Sequence, residues 1–146
     1  MQSAETSSDT APDQTPLKLL LDTHIWLWAL LDPERLSRNV RAALESPNNE
    51  LWLSPISIWE ALVLAERGRI KVTGDTRAWI DGMVRAMPRR EAPLTHEVAI
   101  ESRRIALSHQ DPADRFIAAT ARVYDLTLVT ADERLLNSTE YATFGS

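Results

Sequence analysis

The sequence predicts an α/β domain with a mostly parallel central sheet. Short apolar runs, typical of strands buried on both faces, alternate along the chain with longer helical segments. The length of 146 residues corresponds to one domain, and 44% hydrophobic with 25% charged residues is an ordinary globular composition. The chain has no cysteine, which excludes disulfides, thiolate metal sites and cysteine nucleophiles.

Helix caps delimit the elements at the start of the domain. The apolar run at residues 17–21 is too short for a helix and ends at Asp22. Asp22 or Thr23 can cap the helix that follows, and Ser37 has the position of an N-cap for the next one. The predicted elements are, in order, a strand at 17–21, helices at 25–31 and 37–46, and a strand at 50–53.

Proline and glycine delimit the middle of the chain. Ser54 and Pro55 start a helix with proline in its first position, and Gly68 ends it. Asp75 or Thr76 starts another helix, which Pro88 closes. The predicted elements are a helix at 54–68, a short extended piece at 70–72 and a helix at 75–87.

The last third again alternates between helix and strand. Thr95 caps a helix that we expect to continue through Ala106, and Asp111-Pro112 starts a helix that continues to Val123. The predicted elements are helices at 95–106 and 111–123, a strand at 126–130, a helical turn at 131–136 and an edge strand at 141–144. Strands separated by helices in this way indicate a parallel sheet.

Residues 1–16 differ in composition from the rest of the chain. They contain three acidic residues, no Lys or Arg, and almost no large apolar side chain. We therefore predict a disordered polar tail at 1–16 and a single domain at 17–146. Neither a secretory signal nor an apolar run approaching the ~20 residues of a membrane span is present, so we expect a cytoplasmic protein without membrane attachment.

Four acidic residues follow the strands of the predicted sheet. Asp22 comes directly after the first strand, and Asp132 lies two residues beyond the strand that ends at Thr130. Glu60 lies on the helix after the second strand, and Asp114 lies in the first turn of the helix begun at residue 111. Ligands of parallel sheets bind beyond the carboxyl ends of the strands, where these four side chains are expected to meet.

Four carboxylates at one sheet edge would repel one another unless a cation lay among them. Oxygen ligands without any thiolate favour a hard ion, Mg²⁺ or Mn²⁺, over zinc. The net charge of −5 taken alone argues against a nucleic-acid partner. Three of the negative charges lie in the tail, however, and four belong to this acidic group, so the argument against such a partner is weak.

Four segments around these acids occur in an order and spacing that resemble a known family. They are LLLDTH at 19–24, SPISIWE at 54–60, DPADRFIAAT at 111–120 and LVTAD at 128–132. The chain resembles PIN-domain ribonucleases of the VapC type, which are toxins of type II toxin–antitoxin pairs. The resemblance implies a PIN-like three-layer fold, with the mostly parallel sheet flanked by helices.

The resemblance also implies a metal-dependent endoribonuclease that hydrolyses RNA to 3′-hydroxyl and 5′-phosphate ends. In the family, the acids matching Asp22, Glu60, Asp114 and Asp132 are catalytic and hold one or two ions of Mg²⁺ or Mn²⁺. A polar side chain such as Thr130 lines the same pocket. The implied partners are a cognate antitoxin protein and an RNA substrate, and the implied assembly is a homodimer.

Several of these side chains also have structural interpretations. Asp22 and Asp132 can cap helices, and Asp114 can interact favourably with a helix dipole. We interpret Asp111 mainly as an N-cap. Asp111, Thr23 and Arg115 are further candidates for contacts with substrate or with the metal-holding acids, and Arg115 can equally pair with a neighbouring acid.

Two alternative functions remain open from the sequence. One is a catalytically silent PIN-like module that binds RNA or protein. The other is a phosphoryl-accepting receiver domain, which also places acids at a parallel sheet edge but needs paired acids after its first strand. Trp26 and Trp28 lie two apart on one helix and so cannot both face one core, and one of them is a candidate for an interface.

Overall fold

A five-stranded parallel sheet forms the centre of the protein, in a computed structural model that describes residues 15–87, 89–108 and 110–145. The strands lie in the order β3-β2-β1-β4-β5, and each neighbouring pair is parallel. Their bounds are β1 Lys18–Leu21, β2 Glu50–Leu53, β3 Arg90–Glu91, β4 Thr127–Thr130 and β5 Thr143–Gly145. Nearly all of the predicted polar tail, residues 1–14, lies outside the described residues.

Helices connect the strands, and several start where the sequence predicts. Ser37 Oγ accepts a hydrogen bond from the Val40 N–H at 3.2 Å, and the Asp111 carboxylate accepts one from the Asp114 N–H at 3.1 Å. The helices are α1 Thr23–Leu31, α2 Arg38–Glu45, α3 Pro55–Glu66, α4 Thr76–Arg85, α5 His96–Arg104, α6 Pro112–Val123 and α7 Glu133–Leu136, with a 3-10 turn at Pro33–Arg35. In the described part of the chain, no helix is long and apolar enough to span a membrane.

Alternate residues of β1 are buried on opposite faces of the sheet. Leu19 and Leu21 belong to a core that includes residues of α1, α2, α3 and α4, whereas Leu20 belongs to a core that includes residues of α6 and α7. Both faces are therefore covered by helices, as an apolar run such as 17–21 requires. The predicted three-layer α/β architecture is confirmed.

The structure corrects four details of the predicted elements. Residues 70–72 lie in no strand, α5 ends at Arg104 rather than at Ala106, and the last strand is Thr143–Gly145 rather than 141–144. The strand β3 was not predicted, because Arg90 and Glu91 are both exposed and carry no apolar signal. The receiver alternative is wrong, because receivers of the flavodoxin-like type have the strand order 2-1-3-4-5.

The strand order places the carboxyl ends of β2, β1 and β4 side by side at the middle of one sheet edge. The Asp22 N–H donates to the Val129 carbonyl at 3.0 Å, which continues the β1–β4 ladder to the last residue before α1. Asp22 is therefore fixed next to the end of β4. Chain segments that lie far apart in the sequence converge at this edge.

A left-handed glycine turns the chain back at the end of α3. Gly68 has φ +72°, and the Arg69 N–H donates to the Leu64 carbonyl at 2.8 Å, so residues 69–71 return alongside α3. Gly68→Ala has open space for its Cβ but would strain the backbone. We expect it to lower the free energy of unfolding by about 1 kcal/mol, measured by urea denaturation.

Gly82 provides the matched control. It lies inside α4 without a positive φ, and a Cβ there also meets open space. Gly82→Ala is expected to raise the free energy of unfolding by about 0.5–1 kcal/mol. Equal effects of the two substitutions would contradict the assignment of Gly68 as the residue that the turn requires.

Candidate active site

A cavity of about 530 Å³ opens at the edge of the sheet where β1, β2 and β4 end. Five carboxylates from four separate parts of the chain line it: Asp22, Glu60, Asp111, Asp114 and Asp132. The four acids that the sequence selects, together with Asp111, thus lie around one space. His24, Trp28, Arg35, Ala131 and Arg134 complete the lining.

Asp22 occupies the innermost position among the acids. Its side chain is only 7% exposed, and Oδ2 accepts a hydrogen bond from the Thr130 hydroxyl at 2.6 Å. Its Oδ1 accepts from the Thr23 N–H at 2.8 Å, as befits the N-cap of α1. Burial raises the pKa of Asp22 above its usual range, and the bond from Thr130 opposes part of that rise.

The hydroxyl of Thr23, at the start of α1, holds Glu60. The fully buried Thr23 hydroxyl donates to Glu60 Oε1 and lies 2.9 Å from Ser57 Oγ. Glu60 lies in the second turn of α3, whose N-cap is Ser54, so it does not cap that helix. Burial raises the pKa of Glu60, although the bond from Thr23 partly offsets the effect. Thr23, a candidate for a supporting role, orients one of the acids.

Asp114 is the acid whose ionisation the cavity changes most clearly. Burial raises its pKa to about 7, and the charges of Asp22, Asp111, Glu60 and Asp132 add to the rise. Its position at the third residue of α6 is the expected one, with Asp111 as the N-cap. Burial first, and the neighbouring negative charges second, therefore disfavour the ionised form of Asp114 when only the protein surrounds it.

An arginine that the sequence analysis did not select lies against two of the acids. The Arg134 guanidinium donates to both oxygens of Asp132, at 3.2 and 2.9 Å, and its Nη2 lies 3.9 Å from Asp114 Oδ2. Asp132 also caps α7 by accepting from the Arg134 N–H at 2.9 Å. The sequence signal that would have pointed to Arg134 is its position two residues after Asp132, in the first turn of α7.

The carboxylates do not form a ready-made metal cage in this arrangement. In residues 15–87, 89–108 and 110–145, no three His, Asp or Glu side chains are grouped closely enough to hold an ion. The contacts explain why, because hydroxyls hold Asp22 and Glu60 and Arg134 holds Asp132. Five oxygen-donor groups in one cavity fit Mg²⁺ or Mn²⁺ chemically. An ion that bound the oxygens of Asp132 would compete for them with the Arg134 guanidinium.

Arg115 lies in a different place from the one that a substrate contact would need. It is only 5% exposed and is not among the described residues that line the cavity. Its Nε donates to the Ser102 carbonyl at 2.8 Å and its Nη2 to the Ile105 carbonyl at 2.7 Å. Arg115 thus ties α6 to the end of α5, and this contact with backbone carbonyls was not anticipated.

Apart from Ala131, the remaining lining residues are aromatic or cationic. Trp28 is half-buried on the cavity wall, whereas Trp26 is 1% exposed in the core, so the two tryptophans do face opposite sides. The Arg35 guanidinium carbon lies 4.4 Å from the centroid of the Trp28 ring. Their spacing in the sequence predicts that the two tryptophans face different sides, but nothing in the sequence predicts that Arg35 contacts Trp28.

Comparison with known proteins agrees with this geometry. The family model of the PIN domain matches residues 19–140. Ribonuclease VapC22 of Mycobacterium tuberculosis (strain ATCC 25618 / H37Rv) is 36% identical over 118 residues, which cover 80% of this chain and 88% of that protein. The region that the PIN-domain model matches, residues 19–140, contains all five carboxylates of the cavity.

Solved structures show the same fold at lower sequence identity. VapBC-1 from nontypeable Haemophilus influenzae matches with a TM-score of 0.64 at 16% identity, covering 88% of this chain and 98% of that one. VapBC-5 from Mycobacterium tuberculosis, a member of the VapBC family of toxin–antitoxin systems, matches with a TM-score of 0.54 at 19% identity, covering 90% and 100%. Given the domain match and the identity to a VapC ribonuclease, this chain belongs to the PIN-domain family, as a VapC homologue.

Proposed function

We propose that this protein is a metal-dependent endoribonuclease that acts as the toxin of a toxin–antitoxin pair. The observation that carries the proposal is the single cavity lined by Asp22, Glu60, Asp114 and Asp132 together with Asp111. The VapC ribonuclease relative supports the activity, and the VapBC structures support a toxin role. Asp22, Glu60, Asp114 and Asp132 are the proposed catalytic and metal-holding residues.

The bound Mg²⁺ or Mn²⁺ would activate a water for attack on an RNA phosphodiester and offset the charge that develops on the departing oxygen. The protein's own contribution is to hold the carboxylates in place. Thr130 fixes Asp22 Oδ2, and Thr23 fixes one oxygen of Glu60. Asp111 caps α6 and thereby sets the direction of Asp114. Oriented ligands of this kind lose less freedom when they bind an ion.

The partners follow from the same relatives. A cognate antitoxin protein is the proposed inhibitor, because the structural relatives include members of toxin–antitoxin systems. We also propose a homodimer. A homodimer is the assembly that the family resemblance implies, and a contact that covered Trp59 on α3 or Ile100 on α5, 54% and 53% exposed in the single chain, would bury apolar surface.

The alternative is a PIN-like module that binds RNA or protein without cleaving it. The retained acids favour the nuclease, since a group of carboxyls gathered in one cavity, one of them with its pKa raised to about 7, is typical of catalytic sites. The experiment is incubation of the full chain with total bacterial RNA in Mg²⁺ or Mn²⁺, with and without EDTA, followed by mapping of the new 5′ ends. The nuclease produces 5′-phosphate ends only without EDTA, whereas RNA that is bound but intact would identify the silent module.

Replacement of Arg134 tests whether this side chain competes with the ion. Arg134→Gln removes a positive charge that lies within 4 Å of two proposed ligands and competes with the ion for their oxygens. We expect the dissociation constant for Mn²⁺, measured by calorimetry, to fall about fivefold. The matched control is Arg77→Gln on α4, whose partner is Asp81, and it should leave the constant unchanged. Weaker Mn²⁺ binding by Arg134→Gln would show that the arginine supports the site instead.

A further inference from the structure

A second cavity, of about 480 Å³, adjoins the acidic one. It shares the side chains of His24, Trp28 and Arg35 with the acidic cavity, so the two cavities meet at these residues. We call the second cavity the flanking groove, lined by residues of α1, the 3-10 turn, α3 and the segment at 69–71. A chain-like ligand that enters the acidic cavity has a continuous path into it.

The flanking groove has the opposite charge to the acidic cavity. Its apolar lining consists of Leu27, Leu31, Leu64 and Ile70. Three cations, Arg35, Arg69 and Lys71, also line it, against a single acid, Asp32. None of these cations forms an ion pair with another of the described residues. Their charge therefore remains available to an anionic ligand.

The turn at Gly68 is the reason that two of the cations face this space. Because the Arg69 N–H bonds back to the Leu64 carbonyl, the segment at 69–71 returns along the end of α3 toward α1. Ile70 then packs against the apolar core while Arg69 and Lys71 stay exposed beside it. Because Ile70 is partly buried between two exposed residues, Arg69 and Lys71 both present their positive charges to the groove.

A cluster of two aromatic rings and one guanidinium lies where the two cavities meet. The Arg35 guanidinium carbon lies 4.4 Å from the Trp28 ring centroid, and the His24 ring lies 5.8 Å from it at an interplanar angle of 51°. Unpaired bases stack on aromatic rings and on arginine planes, whereas bases within a duplex are not accessible to such a surface. Stacking groups beside unpaired cations therefore suit a single-stranded nucleic acid.

We propose that the flanking groove binds the nucleotides of single-stranded RNA next to the bond that is cut. Arg69 and Lys71 contact their phosphates, and Trp28 with Arg35 provides the surface on which a base stacks. The inference rests on the proposed nuclease function and extends it by giving the strand a direction out of the acidic cavity. A protein segment would need acidic side chains opposite the three cations, whereas every RNA strand carries a phosphate at each nucleotide, so the charge favours RNA.

The test measures RNA binding separately from cleavage. The probe is a fluorescein-labelled, single-stranded RNA of randomised sequence, 20 nucleotides long (about 20 nucleotides spans several OB-fold-sized sites). Binding is followed by anisotropy in Mg²⁺ with the full chain carrying Asp22→Asn, so that the probe stays intact. Adding Arg69→Gln with Lys71→Gln should weaken binding about tenfold at low salt and reduce the slope of log affinity against log salt by about 1.4.

The matched control is Arg103→Gln with Arg104→Gln, which removes the same charge from exposed positions on α5. It should change the affinity by less than about twofold. Equal losses in the two double variants would overturn the proposal, since only the net charge would then matter. Unchanged RNA affinity of the groove variant would also overturn it, and would leave a protein segment as the occupant.

Failure of this inference can be told apart from failure of the nuclease function. If the unsubstituted protein cleaves RNA and the Arg69→Gln, Lys71→Gln variant cleaves it with the same KM, the groove does not bind the substrate. The nuclease function would still hold. RNA that binds through the groove but is never cut in Mn²⁺ would support the groove and contradict the nuclease.

Discussion

Asp22→Asn is expected to lower the rate of RNA cleavage by about 1,000-fold, equivalent to about 4 kcal/mol of lost transition-state stabilisation. Asp22 is the most buried acid of the cavity, and its Oδ2 is fixed by the Thr130 hydroxyl. An amide at this position has the same shape but no charge with which to hold a divalent ion. The rate is measured on one susceptible RNA under saturating Mg²⁺.

The substitution should leave the fold intact. Asparagine caps helices as well as aspartate does, so its Oδ1 can still accept from the Thr23 N–H. Its amide NH2 then takes the place of Oδ2 and can donate to the Thr130 hydroxyl oxygen, whose own proton turns away. The neutral amide also removes the cost of burying a charge, so the metal-free melting temperature should not fall. Asp81→Asn, on α4 and outside the cavity, is the control and should cleave at the unsubstituted rate. Cleavage by Asp22→Asn within tenfold of the unsubstituted protein would contradict the assignment.

Binding of Mn²⁺ is expected to depend on pH through Asp114. The pKa of this carboxyl is raised to about 7 by burial and by the neighbouring acids, so below pH 7 the ion must displace a proton. The apparent affinity for Mn²⁺ should therefore rise about tenfold between pH 6 and pH 8 and then level off. Calorimetry at several pH values measures it, and the proton release that accompanies binding should decrease over the same range.

The raised pKa of Asp114 also makes the stability of the metal-free protein depend on pH, in the opposite direction to Mn²⁺ affinity. A carboxyl whose folded-state pKa exceeds its unfolded value is protonated in the folded state at pH values where the unfolded chain has lost the proton. Its contribution to stability is therefore greatest at about pH 4 and decreases as the pH rises toward 7. Asp114→Asn should flatten this decline in melting temperature and remove the stabilisation by Mn²⁺. An unchanged decline in the variant would show that another group titrates there.

The sequence predicted the layers of the fold better than the edges of its sheet. The run at 17–21 has the apolar continuity of a strand covered on both faces, and the structure buries it in that way. The strand β3 lacked any such signal, since Arg90 and Glu91 are both exposed and neither contributes an apolar side chain to a core. The extended piece predicted at 70–72 was wrong because Ile70 packs on the core from the segment after a turn and not from a strand.

The acids of the site were predictable because each has a fixed relation to a strand end or a helix start. Asp22 and Asp132 follow strands, so the parallel sheet brings them to one edge whatever the loops do. The contacts among side chains were not predictable in this way. Arg134 contacts Asp132 because both lie at the first turn of α7. Arg115 donates to a carbonyl of α5, and this contact exists only because α5 and α6 pack together.

The central claim is that the carboxylates of Asp22, Glu60, Asp114 and Asp132 form one binding site for a divalent ion. Its most direct test is a crystal structure of the protein with Mn²⁺, located by anomalous scattering at pH 8. We predict Mn²⁺ in the acidic cavity, in contact with Asp22 and Asp114, with the Arg134 guanidinium withdrawn from Asp132. An Mn²⁺ peak elsewhere on the protein, with the Arg134–Asp132 pair intact and the cavity free of the ion, would contradict the account.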